Sequence, residues 1–125
     1  MGGPYGRFVI HTDEHVSLAR VSALRRNGWT VVRVEDEPGL GKGTADSVLF
    51  AYATARGWAL LSRDDKALVL PKQWQEAGRA FRGGMLHWAQ RHDRRMSVGD
   101  VVRFIEALAC EEDPFVAGVR HIKPE

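Results

Sequence analysis

The chain is expected to fold as an α/β domain, a three-layer α/β/α sandwich around a central, mostly parallel sheet. Two features of the sequence point there. Short apolar runs alternate with helical patterns and turn signals, the rhythm of successive βα units. Two of those runs, ending at Thr12 and Ser62, are each followed at once or within two residues by an acidic pair, Asp13-Glu14 and Asp64-Asp65. In a parallel α/β sheet, ligand sites form outside the carboxyl ends of the strands.

The elements follow in order. Arg7-Phe-Val-Ile-His-Thr12 contains the first strand, centred on Phe8–Ile10. Ser17 can cap the next helix by accepting from a free first-turn N–H. Leu18, Val21 and Leu24 recur at helical spacing, and Gly28 is a natural stop. Trp29–Val34 is β-branched and strand-like. A loop rich in glycine and acid follows over Glu35–Gly43. Thr44 is the expected cap of a helix from about Ala45 to Arg56, with Val48, Leu49, Tyr52 and Ala55 on its apolar face and Gly57 behind it. Trp58–Ser62 is the third strand. Lys66–Arg79 is ambiguous, because Pro71 interrupts any long helix. Gly84–Trp88 is the fourth strand, Ser97–Leu108 an amphipathic helix, and Phe115–Ile122 a closing strand weakened by Gly118. No internal repeat or linker appears, so residues 1–125 read as one domain.

Composition narrows the class. With 44% hydrophobic residues and 4 Trp the chain can bury a core, and 27% charged residues is ordinary for a globular protein. No apolar run approaches the roughly 20 residues of a membrane helix. The first seven residues do not resemble a secretory signal. The single cysteine, Cys110, excludes an internal disulfide and a cysteine-based zinc site, which fits a cytoplasmic protein. A net charge of +2 says little about nucleic acid, but its distribution says more. Arg91, Arg94 and Arg95 cluster, and Arg63 and Lys66 flank the second acidic pair. These five are the candidate phosphate-backbone contacts; as isolated charges they would simply be a solvated surface.

The candidate metal ligands are Asp13, Asp46 and Asp64, with Glu14 and Asp65 beside them and Glu35 and Asp36 in reserve. Clustered carboxylates repel one another unless a cation sits among them, and Mg²⁺ and Mn²⁺ prefer such hard oxygen ligands. Around one or two such ions these groups could hydrolyse a phosphodiester through an activated water. Taken singly, an aspartate here could equally be a cap or turn residue, and Asp46 could serve only the helix dipole. Gly39-Leu-Gly-Lys-Gly-Thr44 is not a phosphate loop, because Gly43 separates Lys42 from Thr44. The five histidines show no helical His-x-x-x-His spacing. His11 and His87 lie inside strands and are expected to be structural. His15 can reach the acidic site, although a role at the helix entry is the simpler expectation. Ser17 and Ser62 lack the partners of a nucleophile.

Several segments together resemble the PIN-like domain family related to VapC-type toxins: Phe8-Val-Ile-His-Thr-Asp-Glu-His-Val16, Ala23-Leu-Arg-Arg-Asn-Gly-Trp-Thr-Val-Val32, Gly41-Lys-Gly-Thr-Ala-Asp-Ser-Val48 and Ala59-Leu-Leu-Ser-Arg-Asp64. The likeness spans residues 7 to 70 well and the rest loosely. It implies the α/β/α fold, Mg²⁺- or Mn²⁺-dependent endoribonuclease activity, and Asp13, Asp46 and Asp64 as the matched acids. Many relatives carry a further Asp two residues after the third, followed by Phe. Here those positions are Lys66 and Ala67, so Asp65 or Glu14 would have to compensate. Relatives commonly act as toxins paired with an antitoxin. The partners to consider are therefore RNA, a small antitoxin protein and a second copy of the chain in a homodimer, with no membrane. Two other readings compete. One is a receiver-like phosphoacceptor module, imitated by the two acidic segments and by Lys123-Pro124 near the end. The other is a PIN-like domain that binds RNA or protein without cutting.

Overall fold

The computed structural model describes residues 8–41, 43–79, 83–115 and 118–124. The leading segment through Arg7, Lys42 of the glycine-rich loop, and residues 116–117 of the expected closing strand lie outside the described residues.

Among the described residues, five strands form one sheet: β1 (Ile10–Thr12), β2 (Val31–Arg33), β3 (Ala59–Ser62), β4 (Gly84–His87) and β5 (Val119–His121). Their order is β2-β1-β3-β4-β5, and every neighbouring pair is parallel. The helices described between them are α1 (Leu18–Arg26), α2 (Asp46–Ala55), α3 (Val69–Glu76) and α4 (Val98–Ala109). The expected α/β/α sandwich is present, and the sheet is wholly parallel.

Alternation along the strands sorts the layers. Ile10, Ala59, Leu61 and Leu86 face one core with Val21 and Leu24 of α1 and Val101, Val102, Ile105 and Leu108 of α4. Leu60 and Met85 face the other, with Leu49, Phe50 and Ala53 of α2 and Leu70 of α3. A parallel sheet must be covered on both faces, which is why its strands read as continuous apolar runs.

Local chemistry accounts for most boundaries. Ser17 caps α1 by accepting from the Arg20 N–H at 3.3 Å. Ser97 and Asp100 form a reciprocal capping box at the start of α4, at 3.1 and 2.8 Å. The ambiguous stretch resolves into a 3-10 turn, Asp65–Leu68, running into α3. Pro71 sits in the first turn of α3, where its missing N–H has no intrahelical partner to lose. One expected cap is absent. Thr44 does not cap α2; its hydroxyl accepts from the Gly41 N–H and donates to the Gly41 carbonyl, and Ala45 occupies the cap position without a side-chain bond.

The last crossover is unusual. β3 to β4 and β4 to β5 step in the same direction across the sheet, yet α3 and α4 cover opposite faces. Three crossovers therefore share one hand and β4–α4–β5 has the other. Given the strong preference for right-handed crossovers, the fourth is the left-handed one. With α4 placed beside α1, β5 is covered only in part on the α2/α3 side: Val119 is half-buried and His121 exposed.

Candidate active site

From β1 the chain passes outward to β2 and then returns across β1 to β3. The order of connections thus reverses between β1 and β3, and that crevice is where open α/β sheets bind ligands. Thr12 pairs with Leu61, so Asp13 and the Ser62–Asp64 segment leave adjacent strands at the same edge.

Asp13 is held firmly. It is 3% exposed, and its Oδ1 accepts from the His15 N–H at 2.9 Å. Its Oδ2 is buried with no hydrogen-bond partner among the described residues. Burial raises its pKa, the His15 bond works against that rise, and the charge of Asp46 adds to it. Asp46 is the first residue of α2, so the helix aims it at the crevice. Its pKa is raised by burial and then by the charge of Asp64. Asp64 caps the 3-10 turn, accepting from the Lys66 N–H at 2.9 Å, while its own N–H donates to Ser62 Oγ at 3.2 Å. Asp13, Asp46 and Asp64 thus feel one another's charge in sequence. His15 is exposed and acts electrostatically on both Asp13 and Asp46, so it belongs to the site and not merely to the helix entry.

The other candidates divide. Glu14 accepts from the Gly43 N–H at 3.1 Å and ties down the glycine-rich loop that delivers Asp46. That loop positions a carboxylate, as its mismatch to the phosphate-loop pattern implied. Asp65 reaches towards β4: its Oδ1 lies 2.9 Å from His87 Nε2. Glu35, just past the carboxyl end of β2, pairs with Arg33 at 2.5 Å, and Asp36 lies 3.7 Å from the same guanidinium.

An open cleft of about 550 Å³ adjoins the carboxylates, lined by His15, Arg63, Asp64, Asp65, Lys66, Ala89, Gln90 and Arg91. Lys66 and Arg91 are exposed there. Arg63 also lines it but is 6% exposed, stacked 4.4 Å over the Trp88 ring, with one nitrogen 2.6 and 2.7 Å from the two Asp93 oxygens. Arg20 shares this cage, 4.7 Å over Trp88 and 3.8 Å from Asp93. Arg63 therefore anchors the cleft wall. Arg94 is exposed, and Arg95 lines a separate cavity with Asp100, Arg103 and Lys123 of the α4 side. The basic cluster is divided between two surfaces, with Arg91 on this cleft and Arg95 on the other cavity.

His11 is fully buried, its ring 5.5 Å from Tyr52 and 5.8 Å from Trp58, and burial lowers its pKa. Among the described residues, no group of three or more His, Cys, Asp or Glu side chains stands together as a ready-made metal-binding set. No protein-family model, curated protein or solved structure matches the chain. No helix among the described residues is long and apolar enough to cross a membrane.

Proposed function

We propose that the chain is a PIN-like, Mg²⁺- or Mn²⁺-dependent endoribonuclease, with the toxin of a toxin–antitoxin pair as its biological role. What supports this reading is that Asp13 and Asp64 leave adjacent strands at the β1/β3 crevice, that Asp46 acts electrostatically on Asp13 and Asp64 on Asp46, and that the adjoining cleft exposes Lys66 and Arg91.

The donor set suits a hard divalent cation. Asp13 holds an unpaired buried oxygen, and the carboxyls of Asp13 and Asp46 are raised by burial and by neighbouring acids. Mg²⁺ usually keeps several waters and takes only one or two carboxylates directly, so it needs no closed three-ligand cage. When bound, the ion would supply charge neutralisation and an activated water for phosphodiester hydrolysis.

The chain's own residues do the rest. The His15 N–H fixes the Asp13 carboxylate, α2 directs Asp46, and the Lys66 N–H orients Asp64. Lys66 and Arg91 can hold RNA phosphates at the cleft, and the Arg63–Trp88–Asp93 cage keeps its wall rigid. The position that relatives fill with a fourth acid presents a cation instead.

The strand order is also that of receiver-like domains. Against that reading, Lys123 lines the cavity beside Arg103 and Phe104 of α4, apart from the carboxylates. Purified protein is expected to cleave single-stranded or structured RNA with millimolar Mn²⁺ and to stop when EDTA is added. Binding of RNA without cleavage would favour the non-catalytic reading, and a labile acyl phosphate formed from acetyl phosphate would favour the receiver.

A further inference from the structure

β4 and β5 pair with His87 directly opposite His121. Both side chains lie on the α2/α3 side of the sheet. Met85, two residues before His87, belongs to that core, and Val119, two residues before His121, packs against it. The two Nδ1 atoms face each other at 3.3 Å, with the rings nearly perpendicular at 85°. On its far edge, His87 Nε2 lies 2.9 Å from Asp65 Oδ1. His87 is 2% exposed, whereas His121 is open to solvent at the partly covered β5 edge.

The nearby carboxylate favours one tautomer: at 2.9 Å its charge stabilises a proton on Nε2, although the two atoms are not aligned as a hydrogen bond. With that proton on Nε2, Nδ1 of neutral His87 is left as a bare lone pair. That lone pair points at Nδ1 of His121. Two imidazole nitrogens at this distance have room between them for one hydrogen, as an N–H···N bond between neutral rings, or for a metal ion. Metal–nitrogen bonds of about 2.0–2.1 Å at a tetrahedral angle place the two nitrogens about 3.3–3.4 Å apart. A carboxylate bonded to the outer nitrogen of a histidine is the usual support of a metal-binding imidazole.

We propose that His87 and His121 bind one tetrahedral transition-metal ion of the zinc type, each through Nδ1, with Asp65 as the positioning residue of His87. Water completes the coordination, which is why the site needs only two protein ligands. When the ion enters, the His121 proton moves from Nδ1 to Nε2, so both rings stay neutral. Imidazole selects zinc-like ions over Mg²⁺, so this site differs in chemistry from Asp13, Asp46 and Asp64. It stands whether or not the nuclease reading does.

The test is calorimetric titration of the metal-stripped full chain with ZnCl₂ in millimolar Mg²⁺, paired with ¹⁵N NMR of the histidine rings. Wild type is expected to bind one Zn²⁺ with both Nδ1 resonances shifted. His121→Ala, at an exposed position that leaves the core intact, should weaken binding at least about tenfold. Asp65→Asn should weaken it by about 10–100-fold and release the favoured His87 tautomer. The triple variant Asp13→Asn, Asp46→Asn, Asp64→Asn should bind zinc as wild type does. Absence of zinc binding by wild type, wild-type affinity in His121→Ala, or loss of zinc in the triple variant would overturn the proposal. An unchanged affinity and tautomer in Asp65→Asn would remove Asp65 from it.

Discussion

Asp64→Asn is expected to abolish Mn²⁺-dependent RNA cleavage while leaving the fold unchanged. The substitution keeps the shape of the side chain, including the oxygen that accepts the Lys66 N–H and caps the 3-10 turn, and removes only the charge. Charge stabilisation by a catalytic metal amounts to several kcal/mol, so losing a ligand should cost about a hundredfold or more in rate. Asp65→Asn should cost much less, because one oxygen of that carboxylate lies against His87 and no other acid among the described residues is seen to act on it. The comparison is made on purified proteins with one RNA substrate and matched circular dichroism spectra. Equal cleavage by wild type and Asp64→Asn would mean that a contaminant is responsible and that Asp64 is not a ligand.

Asp13→Asn is expected to raise stability at neutral pH when no divalent cation is bound. Burial raises the Asp13 carboxyl above its ordinary value of 3.8 in the folded chain. The folded state therefore holds that proton more tightly than the unfolded state. Its contribution to stability is complete below the unfolded pKa and is lost as pH rises through the folded one. At neutral pH without divalent cations, wild type carries a buried, half-satisfied charge. The Asn variant does not, and it keeps the bond from His15 if its oxygen takes the Oδ1 place. Melting temperatures in EDTA should be higher for Asp13→Asn than for wild type at pH 7, with the advantage disappearing near pH 3. A variant less stable by the same margin at both pH values would show that Asp13 is not a strained charge but a packing residue.

Much of this arrangement was legible in the sequence, because the signals were local. Apolar runs ending in acids located the carboxyl ends of β1 and β3, and Ser17 and Ser97 marked helix starts through bonds to residues only three positions away. What could not be read depends on register or on turns. Asp64 and Asp65 are neighbours, yet the 3-10 turn sends one to the crevice and the other to His87. Arg63 read as a surface cation until Trp88 and Asp93 closed over it. His87 and His121 are 34 positions apart and meet only because β4 and β5 pair in that register. The Gly83-Gly84 pair gave no warning of its packing role. A Cβ on Gly83 would stand 1.8 Å from the Trp58 carbonyl oxygen, and one on Gly84 would stand 2.4 Å from the Phe115 ring. No local pattern announces that α4 lies on the α1 face, since its apolar stripe would suit either layer.

Whether Asp13, Asp46 and Asp64 jointly hold a divalent cation is decided by calorimetric titration of Mn²⁺ into wild type and into the triple Asn variant, both carrying His121→Ala so that the histidine pair contributes nothing. The carboxylates should bind Mn²⁺ in the first protein and lose it in the second. In the first, Mn²⁺ at about 100 times its dissociation constant should add roughly 2.7 kcal/mol of stability. Equal binding by both proteins, or no binding by either, would contradict a metal centre at the β1/β3 crevice and with it the nuclease assignment.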